Sequence, residues 1–524
     1  MKKNLTALFF LSCSLVYAQP VFQRTYGGLL DDYATCAHQT PDGGYIITGS
    51  SWFGMGLSRI SLIKTDAQGD TLWTKVFGAP ETAGGIESVE LTADGGYIIA
   101  SATSAIGLKS VFLIKTNEAG DVQWAKTVGG TNDYMGNSIV QLSDGGFAIA
   151  GYTKSYGAGN LPDIYFLKTD ADGNVLLNKT YGGIGFDRGE CVRQTSDGGF
   201  IIAGRTTSFG VGDSDALLIK IDLLGNIVWA KTYGGTGYDD CYYVLQTGSG
   251  FISAGRTQSF GAGLNDVFVF ATDQAGNLLW SRTYGGVGDD ISTWIQAASN
   301  GSYIVAGYTN SFGNGLFDCC ILNINDSGDL NWARTFGGEE NDYGCSAKQT
   351  ADDGFIVSGH TKSYGAGSDD IFLIKTNEGG HTGCDNQNSP NPMTGSPATI
   401  VNNAVPQISS SVVSSTPVFP IVASGAMVSN PCVLTGSPES YINPGVLISP
   451  NPFSGNTKIR LTKNIFNATL IIYNAPGQIV YSREHVCGAD IVLRLPDIPD
   501  GIYQMRITDG NRAVVSDKLL IRSR

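Results

Sequence analysis

Two pairs of adjacent carboxylates stand out in the chain, Asp239-Asp240 and Asp289-Asp290. Doubled oxygen donors of this kind suit a Ca2+ ion or a cationic partner. They belong to a wider series, because Asp31, Asp32, Asp133, Asp187 and Asp342 stand at equivalent places. An acid repeated in this way is also what a carboxylate capping backbone amides at each strand entry would look like. A second series varies instead of repeating. It reads Ser50, Ala102, Tyr152, Arg205, Arg256, Tyr308 and His360. Its large polar members, Tyr152, Arg205, Arg256, Tyr308 and His360, are consecutive, as the wall of a one-sided binding site would be. Catalysis has little support: the four histidines show no paired spacing for a metal. Neither a Gly-x-Ser-x-Gly elbow nor a phosphate loop occurs. Carboxylates abound, so a glycosidase-type pair of acids stays open. Cys319-Cys320 falls in a β-like run, where neighbours point to opposite faces, and reads as two separate packing cysteines.

These residues recur because the segments that carry them recur. A tight turn followed by a Gly-aromatic step appears at Gly44, Gly96, Gly146, Gly199, Gly250 and Gly354, with Ser302 in the same place once. The spacing is about 52 residues, which makes seven units of a stacked or radial repeat. Each unit holds four short runs, a to d. In the fourth unit they are residues 190–195, 200–206, 216–221 and 227–233. The runs are rich in β-branched and aromatic residues and bounded by Gly, Asp and Asn, which is strand and hairpin chemistry. The turn between c and d opens on Asp66, Asn117, Asp170, Asp222, Asp273, Asn325 or Asn377. Free exchange of Asp and Asn marks an Asx turn, which needs only the side-chain oxygen. Four-stranded units repeated radially predict an all-β fold, a seven-bladed β-propeller over residues 19–380. The chain enters on an orphan run d at residues 22–28 and leaves the last unit on a run c at 370–376. The N-terminal strand is therefore expected to close the last blade.

Residues 1–18 read as a signal peptide, with Lys2 and Lys3, an apolar stretch, and Val16-Tyr17-Ala18 before a cut ahead of Gln19. Leu11-Ser12-Cys13 offers a lipoprotein signal as the alternative. No later run is long and apolar enough to span a membrane. The formal net charge is −14. The tail after Pro444 is itself basic, so the acidity lies in the repeats and argues against nucleic acid or an anionic membrane as partner. Residues 381–443 form a Ser/Thr/Pro/Val-rich linker bracketed by Cys384 and Cys432, the candidate disulfide of an oxidising compartment. Residues 444–524 regain strand patterning and predict a small β-sandwich.

That tail carries Pro450-Asn451-Pro452, then Gly477-Gln478, Gly501-Ile502-Tyr503, and a terminal Lys518-Leu519-Leu520-Ile521. In this order the landmarks resemble the C-terminal sorting domain of type IX secretion substrates. The resemblance implies the type IX machinery as a partner and passage from periplasm to cell surface. It also implies removal of the tail, with release or attachment to surface lipopolysaccharide. The repeats are similar to the propellers that precede such tails. The expectation is a secreted or cell-surface binding or adhesion module whose ligand is a glycan or a surface protein, with Ca2+ as the one candidate cofactor. A carbohydrate-active hydrolase or lyase, and a structural envelope or biofilm component, are the alternatives.

Overall fold

Short β-branched and aromatic runs between glycine turns fold as hairpins, and each repeat supplies two. A computed structural model describes residues 20–52, 58–77, 88–103, 109–129, 133–155 and 161–383, and beyond these the strands named below. In the fourth repeat the strands are Asp187–Gln194, Phe200–Thr206, Asp215–Ile221 and Ile227–Gly234 (a to d), paired antiparallel in that order. Seven sheets contain four such strands each, and the described residues include no helix. The architecture is all-β and propeller-like.

Consecutive sheets are joined by one recurring bond at the entry to strand a. Asp187 N donates to Pro162 O (2.8 Å), Asp239 N to Ser214 O (2.8 Å) and Asp290 N to Asn265 O (2.8 Å). The same bond links the seventh sheet to the first, from Asp32 N to Asp369 O (2.7 Å). The N-terminal strand Phe22–Gly27 pairs with Asp370–Thr376 and supplies strand d of the seventh sheet.

Further staples hold neighbouring sheets together. The tyrosine near the end of strand d donates to a carbonyl in the c–d turn of the next sheet: Tyr26 to Gly69 O (2.6 Å), Tyr181 to Gly225 O (2.8 Å) and Tyr233 to Gly276 O (2.7 Å). Gly276 itself has φ +75°, and a Cβ there would stand 2.9 Å from the Trp229 ring. Both the left-handed backbone and the close aromatic demand glycine. The Asx turns form as expected, with Asp222 Oδ1 accepting from Leu224 N (2.9 Å) and Asn226 N (2.8 Å).

The Ser/Thr/Pro/Val-rich stretch adds strands to the outer edges. Gln387–Asn388 pairs with strand d of sheet six, Met393–Gly395 with that of five, Ile400–Asn403 with four, Gln407–Ser409 with three and Ser414–Pro417 with two. Met427–Val433 then pairs with the closing strand Phe22–Gly27. The chain thus runs back round the ring as a strap, against the order of the repeats. Among the described residues, sheet one alone keeps four strands. Outer strands present unpaired N–H and C=O groups, and the strap supplies their partners.

Contacts divide the chain between Leu434 and Thr435. The second unit holds Val446–Ser449, Asn456–Tyr473, Ile479–Arg494, Gly501–Asp509 and Arg512–Arg522. Among the described residues these strands hydrogen-bond as one five-stranded set. The 18-residue strand Asn456–Tyr473 shifts register between Arg460 and Ala468 and so pairs with different strands on either side of the shift. No helix of the described residues is long and apolar enough to cross a membrane.

Candidate functional site

Strand a is innermost, and it carries one residue more than strand b can pair. In sheet four, strand a has eight residues and strand b seven, and their register slips between Gly189 and Cys191. The surplus residue is Glu190. The same slip occurs at Thr35, Asn137, Tyr242, Thr293 and Cys345. A bulge re-aims a side chain, and all six of these residues line one axial pocket of about 350 Å³. A volume of that size suits a small ligand or a chain end. Arg188, Arg193, Arg205, Tyr243, Trp294 and Tyr308 contribute to the remaining wall.

Four buried polar atoms of this wall make no hydrogen bond: Arg188 Nε and Arg205 Nε, which face the Glu190 carboxylate as ion pairs, and two that have no ionic partner either. Asn137 donates through Nδ2 to Gly189 O (2.8 Å) and to Glu190 (3.0 Å), which leaves its Oδ1 without a hydrogen bond. Trp294 Nε1 likewise has no partner, and the residue is 9 % exposed. A buried donor or acceptor left open costs about 1–3 kcal/mol, so a ligand that satisfies either atom gains by it.

Arg188, Glu190 and Arg205 lie towards the end where strand a begins and strand b finishes. Arg188 Nε lies 2.8 Å from Glu190, and Arg205 4.0 Å from the same carboxylate. Burial raises the Glu190 carboxyl pKa above its ordinary value despite both arginines. Behind them Asp240, fully buried, accepts from Arg256 Nε (2.9 Å), Tyr242 OH (3.2 Å) and Ser214 Oγ (3.0 Å), with Arg205 at 3.5 Å. Towards the other end of strand a, Arg193 stacks on Tyr243 at 4.5 Å and Lys348 on Trp294 at 4.9 Å. His38 accepts from Lys348, and burial together with that lysine lowers its pKa to about 4. Cys345 is no nucleophile, since burial pushes its thiol up to about 12.

Of the five residues expected from sequence to form a binding wall, two line this pocket and three do not. Arg205 and Tyr308 line it. Arg256 is held one layer back by Asp240, and Tyr152 lies beneath the Arg188 guanidinium at 5.0 Å. His360 packs 4.8 Å from both Tyr33 and Tyr343. The paired acids do not converge. Asp239 accepts from Thr257, Ser259 Oγ (2.6 Å) and Gly235 N (2.7 Å). Asp290 repeats this with Thr309, Ser311 Oγ (2.6 Å) and Gly286 N (2.8 Å), and Asp289 accepts from Asn265. Among the described residues no three His, Cys, Asp or Glu side chains gather as a cation would need. Cys319 and Cys320 are free thiols. Cys384 lies outside the described residues, and with it the Cys384–Cys432 pairing. Pro450, Asn451, Pro452 and Gly477 lie outside them too, while Gly501, Tyr503 and Lys518 fall within strands. The bulge residues went unnoticed in the sequence. Their one trace there is a residue at the surplus position that varies from repeat to repeat.

Comparison with known proteins bears on the tail. Residues 447–522 match the family described as the secretion system C-terminal sorting domain. The tail of this chain is such a domain, which marks the protein for export and for a secreted or cell-surface location. No curated protein matches the chain. Similar solved structures include Sqt1 from Chaetomium thermophilum, 12 % identical over 66 % of this chain and 82 % of that one, TM-score 0.38. Sqt1 bound to the N-terminus of ribosomal protein L10 is 11 % identical over 67 % and 98 %, TM-score 0.36. A glycosyl hydrolase from Bacteroides ovatus is 8 % identical over 51 % and 87 %, TM-score 0.23.

Proposed function

We propose that the chain is a seven-bladed β-propeller exported by type IX secretion, and that it acts outside the cell as a non-enzymatic binding module for a glycan or surface protein. The observation that carries this reading is the axial pocket. Six bulges aim side chains of five different types at one space, and two polar atoms there await partners. A repeat that served only architecture would point the same residue inward each time. The test is binding of the full chain to immobilised glycans and surface-protein extracts, with Asn137→Leu as the variant that fills the pocket. Binding should fall at least tenfold in the variant, and unchanged binding would move the site elsewhere. A chelator should have little effect, because Asp239, Asp240, Asp289 and Asp290 are already engaged by protein donors.

A hydrolase or lyase is the second reading, and Glu190 favours it. A buried carboxyl with a raised pKa in a pocket is the profile of a general acid. Turnover of a bound glycan, lost in Glu190→Gln with binding retained, would establish it in place of the binding module.

A further inference from the structure

The wall of the axial pocket carries three arginines, Arg188, Arg193 and Arg205, and a single carboxylate, Glu190. This excess of positive charge sits in a chain whose net charge is −14. Local charge of the opposite sign is what an anionic ligand requires. Arg205 is the least engaged of the three. Its carboxylate neighbours stand at 3.5 and 4.0 Å, and Asp240, the nearer, is already bound closely by Arg256, Tyr242 and Ser214. A guanidinium with donors to spare, 26 % exposed at the side chain, is a ready fork for a planar anion.

The rest of the wall describes what the anion is attached to. Tyr242, Tyr243, Trp294 and Tyr308 present aromatic surface. Such surface suits the C–H face of a sugar ring. Asn137 Oδ1 can accept from a hydroxyl, and Trp294 Nε1 can donate to a ring or hydroxyl oxygen. A bare inorganic anion would use the arginines and leave both atoms and the aromatic wall idle.

We infer that the axial pocket binds an acidic sugar unit, its carboxylate on Arg205 and Arg188 and its hydroxyls on Asn137 and Trp294. This rests on the axial pocket being the binding site, as proposed above. The experiment presents the full chain with oligosaccharides ending in D-glucuronate, with the same oligosaccharides ending in D-glucose, and with free sulfate as competitor. The glucuronate series should bind at least tenfold more tightly than the glucose series, and sulfate should compete only weakly. Arg205→Gln should weaken glucuronate binding by about tenfold or more, the usual range for a lost charged hydrogen bond, and leave glucose binding near its starting level. Where that variant does not fold, Arg205→Lys keeps the charge without the fork and should weaken binding in the same direction. Trp294→Phe, which keeps a ring and removes the N–H, should weaken both series.

Equal binding of the two series, both weakened by Trp294→Phe, would overturn the acidic ligand and keep the pocket. Glucuronate binding untouched by Arg205→Gln and by Trp294→Phe would overturn both the ligand's placement and the pocket. Binding of sulfate as tight as that of glucuronate would reduce the site to an anion site and overturn the sugar. Retention of neither series would overturn the inference outright.

Discussion

At the scale of single residues, the recurring features serve the fold and the varying bulge residues line the axial pocket. Lys64, Lys115, Lys220 and Lys375 each reach the aspartate of their own a–b turn, at 2.8–3.0 Å, through Asp42, Asp94, Asp197 and Asp352. In repeat six Asn323 takes the lysine's place and donates instead to Ser302 (2.8 Å), which stands where the other turns carry glycine. A second set of carboxylates gives the molecule its pH response. Burial pushes Asp32, Asp215 and Asp318 up to about 6 from 3.8, beyond what their hydrogen bonds offset. A carboxyl whose folded pKa is raised binds its proton more tightly in the folded state. Its contribution is complete below about 4 and is lost as pH rises through about 6. Denaturant midpoints should therefore rise as pH falls from 7 to about 4.5. The doubly substituted Asp215→Asn, Asp318→Asn protein should show a flatter slope. Below that range the trend should reverse, as Asp94 and Asp197, held near 2, lose the carboxylates that pair with Lys115 and Lys220.

At the scale of elements, strands a to d were readable because alternation and turn chemistry are side-chain signals. Strand b of the fourth repeat falls at residues 200–206 both in the sequence pattern and in the fold. The bulges and the strap were not readable, for different physical reasons. A bulge is one surplus residue in an otherwise regular run, too small a departure to disturb periodicity. The strap binds through main-chain hydrogen bonds, which almost any extended segment offers, so its composition did not announce its partners. Its consequence is measurable by hydrogen exchange. Strand d of sheet four, Ile227–Gly234, is paired on both sides, whereas Thr71–Phe77 of sheet one is paired on one side among the described residues. Outward amides of Thr71–Phe77 should exchange faster than those of Ile227–Gly234. Replacing the strap segment 400–403 with glycines should bring the two strands together.

At the scale of the whole molecule, the strand Phe22–Gly27 lies between Asp370–Thr376 and Met427–Val433. It is the point where the first repeat, the last repeat and the strap meet. Thr25→Pro removes an amide from a strand flanked on both sides, so it should lower the unfolding midpoint and open the seventh sheet to limited proteolysis. The same change at Ser429, on the outer strand, should do less. This meeting point has a mechanical meaning. A load applied at the sorting domain reaches the ring through the backbone at Val433, and among the described residues the first hydrogen bonds it meets are those to Phe22 and Gln23. The outer strand beside the closure is thus the first link among the described residues to feel tension from the tail, and a pull strong enough to strip it would leave Phe22–Gly27 held to the ring by Asp370–Thr376 alone.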